Sequence, residues 1–263
     1  MGKGKPFLEV LSSAIHEDYR FPFLELFAFL YALGTFVLTN FAIGPSLQNA
    51  TADTVAHTVT TSLLTGSLFV FIILVLKNVA YGLGSDLEKG IIQTYFSYPL
   101  KRWKILTAKL ISALGVSLLL FLGIQISALY ILAPDMVLPQ FGTIILTYAA
   151  NLSYPLLISA IVLLVTLILR RGGIALIVGI VMYFAMSIVS GLAYVVASGT
   201  ESPVALQIIS VISPSFALGQ YYGSSDIWVP TFSEVLIYTG VSYAIVTSLF
   251  ILGYLYFGRR LNL

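Results

Sequence analysis

The stretch GSDLEKGIIQTYFSYPLKRWKILTAK, residues 84–109, is a polar interruption between two long apolar runs of the chain. It holds seven charged side chains, whereas only 9% of the whole chain is charged. Ser85 and Glu88 have the spacing of a capping box, in which the hydroxyl and the carboxylate each accept a hydrogen bond from a free backbone amide at the start of a helix. Pro99 disfavours helical geometry at Tyr98. The sequence therefore predicts a short helix that begins at Ser85 and ends at Tyr98.

One side of this predicted helix is apolar. The side chains that recur on it at near-helical spacing are Leu87, Ile91, Ile92, Tyr95, Phe96 and Tyr98. A second helix is expected to begin in the basic cluster at residues 101–104 and to continue into the next apolar run. A capped helix with one apolar face, placed between two apolar runs, is a candidate for contact with a partner outside the bilayer.

Composition indicates the class of protein. The chain of 263 residues is 59% hydrophobic, with a mean hydropathy of +0.99, whereas soluble domains are nearer half apolar. Continuous apolar runs long enough to cross a bilayer, about 20 residues each, occur six times. They cover residues 23–43, 58–81, 105–133, 141–169, 174–197 and 235–257. The sequence predicts an all-α integral membrane protein, a single transmembrane domain over residues 1–263 with six spans.

The placement of positive charge predicts the orientation. All 13 Lys and Arg residues lie in the N-terminal segment, around the connection between spans two and three, in the link between spans four and five, or at the C-terminus. The charged residues in the other three connections are all acidic. By the positive-inside rule, both termini and residues 84–104 are cytoplasmic. We expect a multi-pass protein of the plasma membrane. Orientation alone explains the basic face, so nucleic-acid binding is not predicted.

Two further segments have recognisable patterns. Residues 1–22 contain a stretch, 6–17, with apolar side chains on one side, which predicts a helix lying in the inner membrane interface; a frayed polar tail is the alternative. Residues 202–230 hold two apolar stretches too short to span, separated by Pro214. We expect a re-entrant hairpin in the outer leaflet, because non-helical backbone at that depth must be sheltered by protein. A surface loop is the alternative.

Asn49 heads a glycosylation sequon on the outer side, a weak signal.

The residues needed for several kinds of chemistry are missing. His16 and His57 are the only histidines, and neither lies inside a predicted span, so a Ser–His intramembrane protease would lack its base. The sequence contains no HExxH motif and no clustered histidines and carboxylates that would hold a metal. No cofactor is expected in this chain, and we do not expect it to be an enzyme.

The spans also offer little that could use an ion gradient. Their charged residues Glu25, Lys77, Lys109 and Glu234 fall near span ends, where they can reach the interface. Gln125 and Asn151 are polar groups in apolar surroundings, and an interhelical hydrogen-bonding role is favoured over substrate binding. No GxxxxGK[ST] motif exists, so the chain cannot bind ATP through a P-loop. If it moves a solute uphill, a partner must supply the energy.

Residues 86–109 resemble the signature of type-2 ABC exporter permeases. That signature has an acidic–basic pair followed by Gly, an amphipathic helix, a Pro, an Arg a few residues later and a Lys that opens the third span. The matching positions are Glu88, Gly90, Pro99, Arg102 and Lys109. Ile91 stands where Thr is common, and Tyr95-Phe96 where a Leu pair is usual. The six spans, the inward termini, the N-terminal interfacial helix and the re-entrant element also agree with that family.

The resemblance implies a half-transporter. Two six-span subunits, identical or paralogous, would form the path, and two separate ABC ATPase subunits, which carry the ATP and Mg²⁺, would dock on the cytoplasmic face. Residues 84–104 would be the coupling segment, with its helix as the coupling helix. The residues expected to contact the ATPase are Asp86, Leu87, Glu88, Ile91, Tyr95, Phe96, Pro99 and Arg102. We expect the outer hairpin to form an outer gate at Pro214 and Phe216.

Two other classes of function stay open. A secondary transporter or channel would transport without any ATPase, and a membrane enzyme or assembly factor would act as the purified chain alone. The sequence identifies neither the substrate nor whether a dimer joins identical chains. Ser187 and Gly191, four residues apart in the fifth span, are small enough to permit close approach of helices, either within a subunit or between two.

Overall fold

The computed structural model of the protein describes residues 5–42, 50–96, 99–200, 202–223 and 227–259. The predicted all-α fold class is confirmed for these ranges, which contain helices and connections but no strand. The helices are α1 (Lys5–Asp18), α2 (Phe23–Ala42), α3 (Ala52–Val75), α4 (Gly84–Glu88), α5 (Ile91–Phe96), α6 (Arg102–Leu110), α7 (Ser117–Leu132), α8 (Pro134–Val137), α9 (Phe141–Leu169), α10 (Gly172–Thr200), α11 (Val204–Ile212), α12 (Pro214–Tyr222) and α13 (Phe232–Arg259).

Several of these helices join end to end into longer continuous rods, and two of the rods contain π-helical segments. The first π segment, Leu76–Leu83, joins α3 to α4 without a break and gives a rod of 37 residues, Ala52–Glu88. The second π segment, Ile111–Val116, joins α6 to α7 in a rod of 31 residues, Arg102–Leu132. We call these rods the second and third spans. π-helical turns are rare and concentrate at functional sites. The two π segments lie side by side, which makes this part of the bundle a candidate functional site.

Five helices or rods in the described ranges are long and apolar enough to cross a membrane, which makes the chain a multi-pass membrane protein. They are Ala52–Glu88, Arg102–Leu132, Phe141–Leu169, Gly172–Thr200 and Phe232–Arg259. Helix α2 occupies the first predicted span. Its apolar stretch Phe23–Phe36 is shorter than the five helices and rods named above. Six spans and cytoplasmic termini therefore stay predictions. The rods extend beyond the apolar runs because backbone hydrogen bonds continue where hydropathy falls.

The core lies around the second span. Tyr31 of α2, Phe71 of α3 and Phe121 of α7 are fully buried, and the Phe121 ring lies 6.0 Å from that of Tyr31 and 5.5 Å from that of Phe71. Within its most apolar stretch the second span is 67% buried, whereas α10 is 18% buried and α13 22%. The apolar outer sides of α10 and α13 are therefore left to lipid or to another subunit.

Candidate functional site: an ion network at the two π segments

Lys109 is the centre of an ion network at one end of the bundle. Its ammonium nitrogen lies 2.8 Å from Glu17 Oε2 and 2.7 Å from Asp86 Oδ2. The Lys109 and Asp86 side chains are only 8% and 2% exposed, whereas Glu17 is half exposed. A buried charge is tolerated when it is paired, so one lysine compensates two carboxylates from α1 and α4. This arrangement ties α1, the second span and the third span together.

The carboxyl end of α1 is bound to both π segments. The Lys77 ammonium donates a hydrogen bond to the backbone carbonyl of Asp18. The negative end of the α1 dipole also stabilises a positive charge at this position. The Ser112 hydroxyl donates to the Asp18 carboxylate. Burial raises the pKa of Asp18 from 3.8 to about 6, although the Ser112 hydrogen bond and the charges of Lys109 and Lys77 oppose the rise.

Tyr19 completes the network. The amide of Asn78 in the first π segment donates to the Tyr19 hydroxyl at 3.0 Å, and that hydroxyl lies 3.1 Å from the Ser112 carbonyl and 2.8 Å from Ser117 Oγ. Burial raises the pKa of Tyr19 to about 12, so the hydroxyl keeps its proton at neutral pH. Side chains of both π segments thus converge on Asp18 and Tyr19. The arrangement is a mechanical junction between three helices, with no nucleophile and base paired for catalysis among these residues.

The predicted helix from Ser85 to Tyr98 is wrong in two respects. Ser85 lies inside the second span, where Leu83 is already helical and makes no side-chain capping bond, so the capping box does not exist. The amides at this point already bond to the preceding turn. The helix ends at Glu88, and Gly90 then adopts a φ of 72°, a left-handed conformation that glycine accepts readily. Tyr98 lies outside the described residues.

The eight predicted ATPase-contacting residues fall into two groups. Asp86 and Leu87 are buried, 1% and 4% exposed: Asp86 pairs with Lys109, and Leu87 packs in the core. The residues that lie at the surface or are half-buried are Glu88, Ile91, Tyr95, Phe96, Pro99 and Arg102. Contact with an ATPase stays a prediction for all eight residues, of which Asp86 and Leu87 are buried within the chain.

Helix α5 is anchored to the last span as well. The Phe96 ring meets the fully buried Phe257 ring edge-on at 6.2 Å, and the Arg102 guanidinium lies 4.9 Å from the Phe96 ring centre. The Lys109 ammonium lies 5.2 Å from the Tyr95 ring centre. Tyr95 and Phe96 are thus engaged within the chain, and Ile91 is the exposed apolar residue on this short helix.

The link between α9 and α10 abuts the same junction. Arg170 has a φ of 53° and ends α9. Gly172 then lies so close to Gly84 that a Cβ atom placed on Gly84 would be 2.4 Å from the Gly172 Cα. Only glycines permit this approach. The second, third and fifth spans and α1 therefore meet around one end of the bundle, the end predicted to face the cytoplasm.

A second polar cluster lies in the middle of the bundle. The Gln125 amide nitrogen, which has two N–H donors, lies within hydrogen-bond distance of three acceptors: Thr35 Oγ1 at 2.9 Å, the Leu63 carbonyl at 3.1 Å and Ser67 Oγ. The Tyr148 hydroxyl donates to Gln125 Oε1 at 3.2 Å. The interhelical role predicted for Gln125 is confirmed. For Asn151 the prediction is wrong, because its amide donates to a carbonyl one turn earlier in its own helix.

The segment before the last span contains the two short helices expected there, α11 and α12, with Pro214 buried at the first position of α12. Phe216 is half-buried against α10 and α11. At the end of α12 the Tyr222 ring stacks on His57 at 4.7 Å, and His57 Nδ1 lies 3.2 Å from Thr147 Oγ1. The hairpin is thus attached to the second and fourth spans, and a gating role for Pro214 and Phe216 stays a prediction. Asn49 lies outside the described residues.

Comparison with family models, with curated proteins and with solved structures finds no match to this chain. Sequence reasoning found the polar stretch that includes Asp86 and Lys109, but it missed Glu17, Asp18 and Tyr19 as its partners. One signal was present in the sequence, namely three consecutive polar residues at the end of an amphipathic stretch. Their partners lie more than 50 residues away in the chain, beyond the reach of any local pattern.

Proposed function

We propose that the chain is the permease subunit of an ATP-driven ABC exporter of the plasma membrane, which forms its path as a dimer and is powered by separate ATPase subunits. The observation that carries the proposal is the junction around Lys109. A short surface helix, α5, follows the second span directly, and Lys109 connects the end of that span to α1 and to the third span. Such a connection suits a part that receives force from outside and passes it to the spans.

The proposed mechanism uses the stiffness of the rods. When the ATPase subunits close on ATP, they push the segment from Glu88 through Arg102. Because α4 is a direct continuation of the second span, this displacement tilts a rod of 37 residues rather than a flexible loop. Lys109 cannot leave Asp86 without exposing an unpaired buried charge, so the third span and α1 move with it.

Of the residues proposed to contact the ATPase, Asp86 and Leu87 are buried, so we propose that the exposed residues carry the contact. Ile91, 37% exposed, is the candidate anchor, because burying an exposed apolar side chain at an interface contributes to its binding energy. Glu88 and Arg102 are exposed charges on either side of α5 and would set the register of the two proteins. Phe96 is a poorer probe, because replacing it would also break its contact with Phe257.

The proposal is tested by purifying the tagged full chain from its natural host in mild detergent. We expect a P-loop ATPase to co-purify in near-equal amount, and transport in liposomes to require both proteins and ATP. Transport by liposomes that contain this chain alone would overturn the proposal in favour of a secondary transporter or channel. Catalytic activity of the purified chain alone would favour a membrane enzyme.

The Ile91→Asp variant sharpens this test. A charge placed in a desolvated contact should weaken the complex by at least about 30-fold, the loss typical of a hot-spot residue. Leu138→Asp is the matched control, because Leu138 is 80% exposed and lies in the link at the other end of the third span. Both variants should reach the membrane in normal amount. Equal ATPase recovery with wild type and with Ile91→Asp would exclude α5 as the docking helix.

A further inference from the structure

A cleft of about 320 Å³ lies beside the ion network, between the end of α1, the first π segment, α4 and the start of α5. Its volume is within the range of small-molecule pockets, about 300–1,000 Å³. Arg20, Lys77 and Lys89 contribute cationic groups to its wall, and Phe23 and Tyr81 contribute aromatic rings. The proposed function uses one residue of the lining, Ile91, as an ATPase anchor, and it leaves the cations Arg20 and Lys89 without a role.

The charges of the cleft are arranged in two layers. Its carboxylates are buried or already paired. Asp86 and Glu17 form ion pairs with Lys109, and the buried Asp18 accepts a hydrogen bond from the Ser112 hydroxyl. Arg20 and Lys89 are exposed at the rim, and among the described residues neither forms an ion pair with an acidic side chain. The open side of the cleft therefore presents two cations without an acidic partner, beside the half-exposed Glu17 carboxylate, whose charge Lys109 compensates.

The aromatic wall adds an apolar element next to that charge. The Phe23 ring lies 4.7 Å from the Lys77 ammonium, and Tyr81 is 59% exposed on the outer side of the second span. Phe21, in the turn between α1 and α2, is 82% exposed. Exposed rings beside cations at a span end are typical of the membrane interface, where basic pockets between helices bind the headgroups of anionic lipids.

We propose that this cleft binds the phosphate-bearing headgroup of an anionic membrane lipid. Arg20 and Lys89 contact the phosphate, Lys77 supports it from below, and Phe23 and Tyr81 lie beside the first carbons of the acyl chains. The lipid would join α1 to the turn between α4 and α5. This inference goes beyond the proposed function and does not depend on it, since the site is complete in a single chain without an ATPase.

The test uses two double variants that remove the same charge from the same residue types. Arg20→Gln with Lys89→Gln removes the rim cations of the cleft, and Lys101→Gln with Arg259→Gln removes one lysine and one arginine elsewhere at the same end of the bundle. All four side chains are exposed, so each variant should fold. Native mass spectrometry of the full chain in detergent then measures binding of dioctanoyl phosphatidylglycerol, dioctanoyl phosphatidylcholine and inorganic phosphate.

We expect wild type and the control pair to bind phosphatidylglycerol equally, and the Arg20/Lys89 pair to bind it roughly 10- to 30-fold more weakly, the loss expected for two basic groups near a lipid surface. Phosphatidylcholine should bind weakly to all three proteins. Equal losses in both pairs would indicate general attraction to the basic end and would overturn the proposal. Inorganic phosphate that binds as tightly as phosphatidylglycerol, with the same sensitivity to the Arg20/Lys89 pair, would assign the site to free phosphate and overturn the lipid.

Discussion

The Lys109 network and the Gln125 cluster solve the same structural problem in different ways. Each connects an N-terminal helix to the second and third spans, α1 in one case and α2 in the other. The Gln125 cluster consists of neutral amide and hydroxyl groups between regular α-helices and is fully buried. The Lys109 network is centred on charged groups, lies next to the two π segments and borders an open cleft.

The difference follows from the cost of charge at different depths. An ion at the bilayer centre costs about 2.5–3.5 kcal/mol on insertion scales, so a cluster in the middle of the spans is built from neutral groups. Near a span end the interface is within reach, so charged groups can be placed there at a lower cost. We infer that the Gln125 cluster fixes the bundle, whereas the Lys109 network is the part that transmits movement.

The largest effect is expected for Lys109→Met, which leaves Asp86 buried without its partner. Removing one member of a buried ion pair costs about 3–5 kcal/mol, so the variant should accumulate poorly and melt early in detergent. Replacing both Lys109 and Asp86 by apolar residues should restore the melting temperature, because neither charge is then left buried. If the network transmits movement, this double variant should fold and yet fail to transport. Transport at the wild-type rate by a folded double variant would make the network merely structural.

How much of this contrast the sequence contains differs between the two clusters. Gln125 could be assigned its role from the sequence, because one amide in a long apolar run has few partners except other helices. The polar stretch around Lys109 was equally visible, and the helical fold followed from the apolar runs. The pairing of Lys109 with Glu17 was not, because the two residues lie 92 positions apart and meet only through the packing of α1 on α6.

Local motifs also failed where the structure departs from regular helix. Ser85 and Glu88 have capping-box spacing, but a capping box requires free amides, and here the preceding π segment has already bonded them. Hydropathy does not distinguish π from α turns, since both are built here from the same apolar residue types. Gly90 was the better signal for the end of the helix, because it can adopt the left-handed conformation required there.

A smaller effect is expected for Gln125→Leu, which removes the centre of the neutral cluster. Interhelical hydrogen bonds in membranes contribute about 0.6 kcal/mol each on average, and several are lost together here. We expect a loss of about 2 kcal/mol in stability, seen as a lower melting temperature, with ATPase binding unchanged. The comparison predicts that this variant, once folded, transports normally. Loss of transport in a Gln125→Leu protein that still melts cooperatively would mean that both clusters take part in the movement.

The smallest effect concerns Asp18 and pH. Burial raises the pKa of this carboxyl from 3.8 to about 6, among the charges of Glu17, Lys77 and Lys109. Between these two values the folded protein holds a proton that the unfolded chain has lost, so this residue makes the fold less stable as pH rises through the window and costs most above pH 6.

Asp18→Asn removes that dependence, while its amide oxygen can still accept the Ser112 hydrogen bond. From pH 5 to pH 7 the variant should gain about 1 kcal/mol in stability relative to wild type, measured as a difference in melting temperature in detergent. A constant difference across that range would mean that Asp18 titrates normally in the folded protein and that the network is more open to water than its burial indicates. The Gln125 cluster offers the control, since Gln125→Leu has no titrating group to lose and its stability difference from wild type should not change with pH.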